Sequence, residues 1–93
     1  MTTTRAHLTN SCMGEWELYV PTKAPVQDWP LHEFGRTSPV PTQTERAAAL
    51  AALGYEPADT GPWEWKERDN DFTGCVEFTA SLTVRTATGG GAR

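Results

Sequence analysis

Large apolar residues recur at every second position over several short stretches of this chain. Trp16, Leu18 and Val20 alternate with Glu15, Glu17 and Tyr19. Ala6 and Leu8 alternate with His7 and Thr9, and Trp63 and Trp65 flank Glu64. The longest such run sets Val76, Phe78, Ala80, Leu82 and Val84 against Glu77, Thr79, Ser81, Thr83 and Arg85. Side chains alternate between the two faces of a strand, so each stretch predicts a strand with one buried face. The expected strands span residues 6–11, 15–20, 31–34, 63–67 and 76–85. Trp16, Leu18, Val76, Phe78, Ala80 and Leu82 are the expected core.

One stretch breaks the alternation. Thr42-Gln43-Thr44-Glu45 fits a capping box, in which the Thr42 hydroxyl accepts from the Glu45 amide and the Glu45 carboxylate returns to the Thr42 amide. Arg46-Ala47-Ala48-Ala49-Leu50-Ala51-Ala52-Leu53 follows, with strong helix-forming composition. Gly54 is placed to end this helix in the left-handed region, with Tyr55 set against Leu50. The connections carry turn formers. Cys12-Met13-Gly14 reads as a tight turn, residues 22–28 and 36–41 as Pro-containing loops, and residues 68–74 as a hairpin connection. The order β-β-β-α-β-β defines an α+β fold: a small antiparallel sheet of about five strands with one helix packed on a face.

At 93 residues the chain makes a single domain, with an ordered core expected over 6–85 and flexible tails at 1–5 and 86–93. Its apolar share of 38% is low, and four tryptophans partly offset that shortage. Eight Lys and Arg against twelve Asp and Glu give a net charge of −4. Such a surface repels duplex DNA and anionic membranes unless cations gather on one face, and here they are spread from Arg5 to Arg93. With neither a signal-like leader nor a long apolar run, the expected location is cytoplasmic, with Cys12 and Cys75 as thiols.

The candidate chemistry is sparse. His7 and His32 lack a second ligand at metal-binding spacing, so neither metal nor cofactor is expected. Cys75 as a nucleophile would need a base, and His32 could serve only if their strands were adjacent. The carboxylate pairs Glu15 with Glu17 and Glu64 with Glu67 read as a solvated face. Gly89-Gly90-Gly91 has no helix after it to supply phosphate-binding amides. The aromatic residues remain. Trp29 opens the third strand, Tyr19 faces away from Trp16, Phe72 sits in a polar turn, and Arg36 follows just past Gly35.

Interfaces favour Trp, Tyr and Arg as anchors, which makes Trp29, Tyr19 and Arg36 the candidate interaction residues. The reading is a non-enzymatic protein-interaction or regulatory module acting through an aromatic and acidic surface, with an unknown protein partner or a second copy of itself. The alternative is a small nucleic-acid-related factor stacking bases on Tyr19 and Trp29, or an acidic mimic of nucleic acid. A small enzyme with an unrecognised site comes third.

Much of the chain also carries a family likeness. Gly14-Glu15-Trp16-Glu17-Leu18-Tyr19-Val20, Phe34-Gly35-Arg36-Thr37, residues 39–45, Ala49-Leu50-Ala51-Ala52-Leu53-Gly54-Tyr55-Glu56-Pro57 and Trp63-Glu64-Trp65 together resemble a family of small actinobacterial proteins of unknown function. The likeness spans residues 9–84 and implies no particular activity. The loop leading into Trp29-Pro30 also resembles the start of MbtH-like proteins, small partners of the adenylation domains of peptide synthetases. The Asn-Trp-Thr-Asp-Met-Arg-Pro run of those proteins has no counterpart here.

Overall fold

The computed structural model describes residues 3–10, 14–58, 61–70 and 74–87. The expected turn at 12–13, the centre of the hairpin at 71–73 and the tail from 88 lie outside the described residues, and Cys12 and Phe72 with them. The chain forms β1 (Thr3–Asn10), β2 (Trp16–Tyr19), β3 (Leu31–Glu33), α1 (Gln43–Ala52), β4 (Tyr55–Pro57), β5 (Glu64–Asn70) and β6 (Cys75–Thr86). All strand pairs are antiparallel, in the order β3-β2-β1-β6-β4. β5 pairs with the first half of β6, on the edge that β4 occupies further along. The fold is therefore α+β, one curled antiparallel sheet with a single helix.

Several boundaries differ from the sequence expectation, and β5 runs on to Asn70, into the expected hairpin connection. β1 begins at Thr3 instead of Ala6, and Thr86 pairs with Tyr55, because the long β6 offers backbone partners to both. β4 lies outside the expected strands. Three residues ending in proline carry no alternation of their own, and Pro57 has no N–H for a ladder. Its pairing is imposed by β6, and Arg85 Nε donates to Glu56 Oε2 across the pair at 2.7 Å.

The helix forms as its caps dictate. Thr42 Oγ1 accepts from the Glu45 amide at 3.1 Å, and Glu45 Oε1 accepts from the Thr42 amide at 2.8 Å. Gly54, at φ +91°, turns the chain out of the helix, and its amide donates to the Ala51 carbonyl at 3.0 Å. A third partner reinforces the N-terminus. Arg36 grips both Glu45 oxygens, at 2.8 and 2.5 Å, while its Nε donates to the Pro39 carbonyl. The Arg36 guanidinium first, and the Thr42 amide next, hold the Glu45 carboxyl down to about 2, against an ordinary 4.5.

A carboxyl lowered in the folded state stabilises above its unfolded value and loses that contribution as pH falls through its folded value. This tie is thus complete above about pH 4.5 and is lost progressively toward pH 2. The thermal midpoint of the native chain should fall more steeply between pH 4.5 and 2.5 than that of Glu45→Gln. Parallel curves would dismiss the linkage.

Ala6, Leu8, Trp16, Leu18, Val20, Ala80, Leu82 and Val84 form one buried cluster with Ala49 and Leu50 of the helix. The alternation of β6 holds along its length, but the expected core membership of Val76 and Phe78 needs correcting: each is 41% exposed, and the core stops at Ala80. A ten-residue helix is about 15 Å long, whereas twelve extended residues run about 40 Å. The helix cannot cover all of β6. Past β2, the Asn10 side chain takes over, accepting from the Phe78 amide at 2.7 Å. Trp65 likewise stays 47% exposed, with its ring edge-on to Trp16 at 6.2 Å. Arg46 is buried, with its guanidinium carbon 5.2 and 5.7 Å from the Trp63 and Trp65 rings and its Nε donating to the Thr42 carbonyl.

Candidate functional site

The face of the sheet away from the helix is built by the residues that alternate with the core. Directly opposed residues of antiparallel strands share a face. Register therefore sets Leu31, Tyr19, His7, Ser81 and Glu64 in one row across five strands, and Glu33, Glu17, Thr9, Thr79 and Lys66 in the next. Over these rows, with Glu33 left at the margin, opens a groove of about 1010 Å³. Five strands at about 4.8 Å spacing make it about 19 Å across, the length of about six extended residues.

One end of the groove is aromatic. The His7 and Tyr19 rings lie 25° from parallel with centroids 5.3 Å apart, and Trp29 continues the row 6.0 Å from Tyr19 at 10°. Trp29 reaches this position from the loop. A 3-10 turn at Val26–Asp28 delivers it, and its Nε1 donates to the Ala24 carbonyl at 2.9 Å. Burial, then the Glu17 charge, push the Tyr19 hydroxyl above its ordinary value. Burial, then Arg5, pull the His7 imidazole below its own, which favours the neutral ring at neutral pH.

The far wall is ionic. Arg5 donates to Glu64 Oε1 and Ser81 Oγ, each at 2.6 Å, and Arg68 donates to Glu77 at 3.0 Å. Glu17 and Glu33 stand directly opposite each other on β2 and β3, and among the described residues no cation forms an ion pair with either.

The structure brings Tyr19 and Trp29 together and places Arg36 elsewhere. A bidentate carboxylate binds a guanidinium more strongly than an exposed edge does, and Arg36 is spent on the helix cap. His7 is the residue that sequence reasoning left out of the site. The signal was available in its alternation with Ala6 and Leu8, which puts it on the Tyr19 face.

The catalytic candidates stay apart. β2 and β1 separate β3 from β6, so His32 is not beside Cys75. His32 packs edge-on against Phe34 on the face opposite His7. Ser81 stands opposite His7, but its hydroxyl is held by Arg5. Among the described residues no group of three or more His, Cys, Asp or Glu is placed to hold a metal ion. No helix among them is long and apolar enough to cross a membrane.

Fold and groove together define a small α+β domain with a single-helix sheet and an aromatic-lined open surface. Residues 2–92 match the model of a family of unknown function, DUF6303, and the chain belongs to that family. No curated protein and no solved structure matches it.

Proposed function

We propose that this protein is a non-enzymatic interaction module that holds an extended segment of a partner protein in the groove. The observation that carries this reading is the near-parallel row His7, Tyr19 and Trp29 lining a groove about 19 Å across on the face away from the core. Aromatic rings supply contact area at small entropic cost, and burying them against a partner is how a few residues come to dominate binding. The groove is open and long, a shape for a chain segment more than for a compact metabolite. Net negative charge argues against a nucleic-acid strand in the same place.

The test is selection of peptides on the immobilised protein from a random library. Bound peptides should lose about 2 kcal/mol, roughly thirty-fold, on Trp29→Ala or Tyr19→Ala. Thermal melting of both variants should match the native chain, since neither ring belongs to the buried cluster. Selected peptides that bind the variants equally well would defeat the proposal. So would retention of single-stranded oligonucleotide in preference to peptide.

A further inference from the structure

The geometry points to an arginine-bearing extended segment as the occupant of the groove, and this rests on the interaction reading above. Glu17 faces Glu33 directly across β2 and β3. Like charges directly opposed on a sheet are destabilising, and these two have no cation of the described residues to offset them. Of the other carboxylates lining the groove, Glu64 is held by Arg5 and Glu77 by Arg68, while Glu67 stands at the far end between Lys66 and Arg68 in sequence. Glu17 therefore brings an uncompensated charge to the groove at the end where the aromatic row stands, with Glu33 beside it at the margin. Tyr19 belongs to both features, its ring in the row and its hydroxyl under the influence of Glu17.

A cation bound there would meet the Glu17 carboxylate, with Glu33 paired beside it, and a row of π-faces together. Ammonium and guanidinium groups both satisfy the first. The planar guanidinium also stacks on aromatic rings and carries donors in a fork that fits carboxylates, so arginine uses the whole arrangement. The segment around it must be extended to follow a floor of five strands, with Thr9, Thr79 and Ser81 at its centre. Lys66 at the far end stands opposite Thr79 and would favour an acidic or neutral residue there, which gives the segment a direction.

Two blocked hexapeptide libraries decide the matter. One has a fixed central arginine and randomised flanks, the other is identical except for citrulline, which keeps the shape and removes the charge. On the immobilised full chain at low salt, the arginine set should be retained at least ten-fold more. That advantage should vanish on Glu17→Gln/Glu33→Gln, whose fold is kept because the substitutions remove only repulsion between exposed and half-buried side chains. Equal retention of both sets, lost together on Trp29→Ala, would overturn the arginine assignment and leave the groove reading standing. Retention of neither set, or retention indifferent to Trp29 and Tyr19, would overturn both. Concentration-dependent doubling of mass, abolished by Trp29→Ala, would put a second copy in the groove and overturn the partner named here.

Discussion

Leu8→Ala should destabilise the domain by about 2–5 kcal/mol, while Phe78→Ala should cost only about 1 kcal/mol. Leu8 is fully buried on the central strand, between Leu18 of β2 and Ala80 of β6 and under the helix. Truncating it opens a cavity among buried neighbours. A domain of this size is stable by about 5–14 kcal/mol in all, so the change removes a large share of the margin. Phe78 is a larger side chain in the same alternating pattern, yet part of its ring already meets water. Urea unfolding of the two variants at equal pH measures the difference. A Phe78 variant weaker than the Leu8 variant would mean that the core extends along β6 well beyond the reach of the helix.

The second large effect belongs to Trp16. Trp16→Ala should cost about 3–5 kcal/mol, well beyond the loss from Trp65→Ala. Trp16 is 5% exposed and lies in the buried cluster. Its Nε1 donates to the Thr37 carbonyl at 3.0 Å, and its backbone amide donates to Arg36. One side chain thus packs the core and fastens the connection that leads to the helix. Trp16→Phe should recover most of the packing without the hydrogen bond, giving a midpoint between the two. Trp65, half exposed at the margin, provides the contrast. Equal losses for Trp16→Ala and Trp65→Ala would show that the packing is centred nearer β5.

The aromatic row itself was half visible in advance. Alternation puts Tyr19 on the face opposite Trp16, and Trp29 opens the third strand beside a loop. Both lie on the groove. What could not be read was their meeting, since Trp29 arrives through a 3-10 turn whose course depends on the Ala24 carbonyl. Arg36 illustrates the opposite case. It is near Trp29 in sequence and was grouped with it, but the side chain follows the strongest partner within reach, which is Glu45 nine residues on.

Local rules determined the helix completely. Thr42, Glu45 and Gly54 act through backbone groups within a few residues, so their effect is settled wherever the segment lies. Alternation likewise determined which face each strand residue occupies, because that is a property of the extended backbone alone. Only the tertiary structure decided how far the core extends along β6, since that depends on the helix being shorter than the strand it covers. It also decided that Tyr55, Glu56 and Pro57 form a strand, for their partners in β6, 27 to 31 residues further on, supply the pairing. And it alone set Glu17 against Glu33, because pairing register joins residues that the sequence keeps sixteen positions apart.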